Sequence, residues 1–201
     1  MKSKTSRPYR MTARAEAAEQ TGERIVDAML SWFASTPYDR IRLEDIAADA
    51  EVTVQTVVRR FGSKHALLAA TVEREFTRLA GDRAAAMGDS PEATLHSLVA
   101  YYEHHGALIL KLYAEAHQAP GVPELAQRGR DYHVQWCREA FAGALDSGLD
   151  KRTRERRLAQ VVAVCDATTW RILRHDGGLS RPQTEQALLE LLSPLLKAPP
   201  G

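Results

Sequence analysis

A chain of 201 residues, 44% of them hydrophobic, can bury a real core and hold one or two domains. Its 27 Lys and Arg against 26 Asp and Glu exclude a uniformly basic coat, and 12 Gly with 9 Pro exclude a disordered chain by composition. No apolar stretch approaches the ~20 residues of a membrane span, and the N-terminus lacks a signal-peptide core, so a soluble, cytoplasmic protein without a membrane partner is expected.

Residues 1–14 carry Lys2, Lys4, Arg7, Arg10 and Arg14 with no acid, a basic, flexible arm that is either merely solvated or touches phosphate. Beyond it the pattern is helical throughout, because strand-like alternation is absent and Gly and Pro fall between segments of 3.6-residue periodicity. The first helix is expected over 13–34, with Ile25, Met29, Trp32 and Phe33 as its stripe and Pro37 as its stop. Two short helices follow over 43–49 and 53–60, and a fourth starts behind Ser63 and runs through Leu68, Val72, Phe76 and Leu79 towards Met87.

Ser90-Pro91-Glu92 opens a central helix with Leu95, Leu98, Val99, Tyr102, Ile109 and Leu112, which Gly106 could break. A Pro- and Gly-rich loop at 119–123 leads to a helix over 123–145. Two apolar stripes close the chain. One carries Leu158, Val161, Val162, Cys165, Thr169, Ile172 and Leu173. The other carries Leu188, Leu191, Leu192, Leu195 and Leu196, opens on a Ser180/Gln183 capping box and meets Pro194, which should kink or end it.

Catalysis finds no foothold: G-x-S-x-G, a phosphate loop, a dinucleotide fingerprint and C-x-x-C are all missing. His104, His105, His117 and His133 follow no recognised ligand pattern, and Glu73 and Glu75 read as surface charge. Cys137 and Cys165 sit among apolar residues at no metal or redox spacing, as buried free thiols would. No enzyme, metal or cofactor is expected.

The informative stretch is 38–73. Two short helices joined by a tight turn need a small residue where they cross, and Ala47 supplies it. Ile46, Ala50, Val52 and Val57 give apolar contacts, and Thr53 can cap the second helix and aim its N-terminus outward. That is a helix-turn-helix plan, whose second helix enters the major groove.

Here the sequence resembles the TetR family, whose motif runs approximately T-(V/L)-x-D-I-A-x-x-A-G-V-S-x-G-T-(L/I)-Y-x-(Y/H)-F-x-S-K-(E/D)-x-L-L. Leu43, Asp45, Ile46, Ala47, Ala50, Val52, Thr53, Thr56, Val57, Phe61, Ser63, Lys64, Leu67 and Leu68 match it without a gap. The departures are Arg42 for a capping Thr, Glu51 and Gln55 for Gly, and Val58 and Arg60 for residues that commonly reach the DNA backbone. Within this motif Gln55 and Thr56 suit base edges, Arg59 or Arg60 could read guanine or bind phosphate, and Arg42, Thr53 and Lys64 join them as candidate DNA contacts, Lys64 as a phosphate ligand.

The resemblance implies an all-α protein of about nine helices: a three-helix DNA-binding domain over 15–63 and a larger helical domain over 64–201 that dimerises and encloses a small-molecule pocket. It implies a homodimeric repressor released from double-stranded operator DNA by a ligand, with an activator or a binder without effector as alternatives. Candidate pocket residues are Tyr101, Tyr102, His105, Leu108, Leu112, Tyr132, His133, Trp136, Asp166, Thr169 and Trp170, apolar faces with polar tips. Lys111 and Arg171 sit singly there, so a largely apolar ligand is expected. The two C-terminal stripes exceed what one small domain must bury, which places the dimer seam on Leu158, Val162, Cys165, Ile172, Leu188, Leu192 and Leu195.

Overall fold

The computed structural model describes residues 7–84, 87–118, 122–145 and 148–197, with side chains from residue 15 onward except at Ala84 and Gln118. Among the described residues every regular element is helical: α1 (Arg7–Ser35), α2 (Leu43–Asp49), α3 (Val54–Phe61), α4 (Lys64–Ala84), α5 (Pro91–Glu115), α6 (Val122–Ala140), α7 (Ala142–Leu145), α8 (Lys151–Val164), α9 (Ala167–Arg171) and α10 (Arg181–Leu196). α1 starts at Arg7, so the second half of the supposed flexible arm is helical, while Lys2 and Lys4 lie outside the described residues. The chain divides into Met1–Glu75 with Glu115–Pro123, and Phe76–Ala114 with Glu124–Gly201. By contacts, the first half of α4 goes with the N-terminal unit.

In that unit Ile25, Met29 and Phe33 of α1 are fully buried with Ile46 of α2, Val57 of α3 and Leu67 and Leu68 of α4. Each such side chain contributes about 1.5–3 kcal/mol by leaving water, more than a short helix can gain from its own hydrogen bonds. Trp32 lies at the margin and donates its indole N–H to Asp49 at 2.7 Å, tying α1 to α2. Glu75 is buried, not surface charge: Arg74 pairs with it at 3.1 Å and with Glu23 and Asp27 at 2.8 Å each.

The second unit gathers Leu95, Leu98, Val99 and Tyr102 of α5, Trp136 and Cys137 of α6, Val161 of α8, Trp170 of α9, and Leu188 and Leu192 of α10 into one core. Ser90, Asp150 and Ser180 cap α5, α8 and α10, the last in a complete capping box with Gln183. α5 does not break at Gly106. The glycine is there for packing, since a Cβ on it would lie 2.4 Å from the Trp170 ring. The stripe 158–173 is not one helix: α8 ends at Val164, and Asp166, extended at ψ 149, accepts from Thr168 N–H at 2.7 Å and starts α9. A five-residue π-turn over Ile172–Asp176 then follows. Pro194 lies within α10 and does not end it.

Candidate functional site

The turn between α2 and α3 forces one residue left-handed, and that residue is Glu51 at φ 54. Its ion pair with Arg24, 3.5 Å long and mostly solvent-exposed, is too screened to offset the backbone cost. Glu51→Gly is therefore expected to stabilise the protein by about 1 kcal/mol, or about 2–4 °C in melting temperature. Differential scanning calorimetry that finds a lower melting temperature would refute the strain.

Ala47 is buried where α2 meets the turn, and its carbonyl accepts from Val52 N–H at 2.9 Å. Thr53, extended at ψ 152, opens α3 by accepting the Thr56 N–H at 3.2 Å, and its hydroxyl also meets the Thr56 hydroxyl at 3.0 Å. Gly62 closes the helix at φ 84, returning its N–H to Val58 at 2.8 Å. Between these caps α3 has two faces. Val57 turns into the core, while Thr53, Gln55, Thr56, Val58 and Arg59 surround an open depression of about 330 Å³. A short helix thus presents two hydroxyls, an amide and a guanidinium on one edge, with the exposed Val58 among them.

The two arginines separate. Arg59 stays on this edge, whereas Arg60 reaches back to α1, donates from Nη1 to the Ala18 carbonyl at 2.6 Å and lies over Gly22. Lys64 is also engaged: its ammonium donates to the Tyr38 and Ile41 carbonyls at 3.0 and 2.9 Å and sits over the Tyr38 ring. These bonds close the turn at Tyr38–Arg40, whose tyrosine also bonds His65 through its hydroxyl and receives a Glu115 carboxylate on its N–H at 2.9 Å. Two of the three Lys64 donors thus serve this turn. Arg42 stands at the N-cap of α2 without capping it and pairs loosely with Glu44 at 3.6 Å on the surface.

The second unit brings part of the expected pocket set together. Tyr102, His133, Trp136 and Trp170 are buried, and Tyr101 stacks edge-on against Tyr102 with ring centres 5.5 Å apart. Tyr132 donates to the Ala80 carbonyl at 2.8 Å, Thr169 donates to Ala163, and Asp166 is occupied as a helix cap 3.9 Å from His133. His105 is half-buried beside the Tyr101 ring. Leu108 and Leu112 are half-buried and lie outside the core cluster.

Sequence reasoning missed the residue in their midst, Arg83 of α4. It is 5% exposed, donates from Nη2 to His133 Nδ1 at 2.6 Å and to the Tyr102 hydroxyl at 3.4 Å, and faces the Trp136 ring at 4.4 Å. The signal existed: the series Leu68, Val72, Phe76, Leu79 continues at helical spacing straight to position 83. The expected seam residues divide by burial. Cys165, Leu188 and Leu192 are buried within the chain, Leu158, Val162 and Leu195 are half-buried against its core, and Ile172, like Leu191, stands 50% exposed.

Comparison with known proteins gives three findings. The family of bacterial regulatory proteins, tetR family, matches residues 25–71, the span from α1 into α4. The HTH-type transcriptional repressor KstR of Mycolicibacterium smegmatis is 36% identical over 87 residues, 42% of this chain and 43% of that protein. The chain thus spans under half the length of the curated relative it matches. Crystal structures of a transcriptional regulator from Rhodococcus sp. Rha1 and of a transcriptional regulator from Pseudomonas aeruginosa PAO1 share the fold. The first superposes with TM-score 0.68 at 16% identity over 87% of this chain and 95% of its own. The second gives 0.70 at 16% over 89% and 91%.

Proposed function

We propose that this chain, which belongs to the TetR family of bacterial regulatory proteins through its N-terminal domain, is a homodimeric transcriptional repressor acting on operator DNA in the cytoplasm. The observation that carries the reading is the capped α3, which buries Val57 and leaves Gln55, Thr56 and Arg59 on an open edge. A Gln amide and a Thr methyl match adenine and thymine edges, and a guanidinium matches guanine or phosphate. In a two-fold dimer the two reading helices stand about 34–36 Å apart, or a multiple of that, and engage successive major grooves of a symmetric site. The second unit supplies the dimer face and the effector site, and a ligand that favours a different spacing of the readers releases DNA.

Fluorescence anisotropy with labelled duplexes from the DNA flanking its own gene tests this. Saturable binding to one duplex, at least about a thousandfold tighter than to scrambled DNA, is expected. Equal affinity for both would reject sequence-specific regulation. Arg60→Ala separates structure from recognition on the same assay: it should leave the salt dependence unchanged while lowering stability by about 1 kcal/mol through loss of the bond to Ala18.

A further inference from the structure

We propose that Arg83 is the anion receptor of the effector site, and that the effector is a monocarboxylate with an apolar or aromatic body. This rests on reading the second unit as the effector-binding domain. The guanidinium is always charged and nine-tenths buried. Among the described residues it has no carboxylate partner. Its hydrogen bonds leave from Nη2, and Nε, fully shielded, has no acceptor. A buried charge in that state is costly unless something neutralises it.

No carboxylate bonds it directly; Asp166, 3.9 Å from His133 Nε2, reaches it only through the imidazole. Burial pushes the Tyr101 phenol up to about 12 and Tyr102 further, so both stay uncharged. His133 accepts from Arg83 at Nδ1 and points Nε2 at the Val162 carbonyl, 3.1 Å away, which assigns the neutral imidazole with its proton on Nε2. The Cys137 thiol, drawn down by its bond with Cys165, lies 3.8 Å from the His133 nitrogens and acts on the guanidinium only across that ring, with no hydrogen bond to it.

What surrounds Arg83 instead holds it still. Trp136 donates to the Arg83 carbonyl at 3.1 Å, and the Tyr102 hydroxyl that meets Nη2 is fixed by its own bond to the Cys165 carbonyl at 2.8 Å. A cation clamped among Tyr101, Tyr102 and Trp136, with its buried Nε–H unmet, is preorganised for an oxyanion. One cation beside a neutral imidazole matches one negative charge; a phosphate dianion would leave one unmatched. The aromatic faces suit an apolar body.

The test needs no DNA. Thermal shift and tryptophan fluorescence of the full chain are measured against sodium salts of C4–C16 saturated carboxylic acids, benzoate and phenylacetate, with the corresponding alcohols and inorganic phosphate as controls. At least one carboxylate should raise the melting temperature saturably and bind about ten- to a hundredfold tighter than its alcohol, and Arg83→Met should abolish that preference. Ligand-free Arg83→Met should melt no lower than the parent, since it removes an unmatched charge. Three results overturn the proposal: no carboxylate preference anywhere in the panel, a preference that survives in Arg83→Met, or a ligand-free Arg83→Met that melts well below the parent. The effect on DNA is scored separately. A carboxylate that binds through Arg83 without releasing DNA leaves the receptor standing and rejects effector control. DNA binding that stands while every carboxylate fails rejects only the receptor.

Discussion

Leu191→Glu is expected to yield folded monomers whose operator affinity is about 10²–10⁴-fold lower, because two linked readers become one. Leu191 and Ile172 stand half exposed, whereas Leu188 and Leu192 of the same helix as Leu191 are buried. Covering both in a two-fold interface would remove that exposure, and a carboxylate there would be stranded without a partner. Leu192→Glu gives a different failure. Its side chain is 0% exposed among Leu95, Leu98 and Leu188, so a charge there unfolds the second unit. Sedimentation velocity with circular dichroism separates the two variants. A Leu191→Glu protein that stays dimeric would move the interface elsewhere.

Arg59→Ala is the variant expected to weaken DNA binding most directly. If Arg59 reads a base, each protomer loses about 1–3 kcal/mol and one position of the site loses its preference. If it binds phosphate, affinity falls for all sequences alike and the slope of log K against log salt falls by about one per protomer. Either result supports the α3 edge as the reading face. Unchanged affinity and slope in Arg59→Ala, measured by anisotropy across a salt series, would remove this face from the account.

The sequence was most legible where a local rule fixes local structure. α2 spans the expected 43–49, and the caps Thr53, Ser63, Ser90 and Ser180 stand where side-chain chemistry put them. Glu51 stands where the resembled motif has Gly, and it is the residue that turns left-handed. Legibility failed where the answer depends on a distant neighbour. Lys64 and Arg60 look like free cations in one dimension, but carbonyls of Tyr38, Ile41 and Ala18 claim them. The stripe 158–173 keeps its helical phase across Asp166, so periodicity could not see that this aspartate ends one helix and caps the next. On α10 the leucines cover more than one face. Counting them could not tell Leu192, which faces the core, from Leu191 beside it, about 100° around the helix. Arg83 hid for the opposite reason: a charged residue on an apolar stripe was passed over, though that mismatch was the informative feature.

In the proposed function, α3 of two protomers reads one symmetric site. The most direct test is the stoichiometry and salt dependence of binding to the duplex that binds most tightly, followed by anisotropy under stoichiometric conditions and by sedimentation. Two protomers per duplex, with log K falling steeply and linearly with log salt and the slope reduced in Arg59→Ala, is the predicted result. One protomer per duplex at an affinity unaffected by Leu191→Glu, with a slope that Arg59→Ala leaves unchanged, would contradict it.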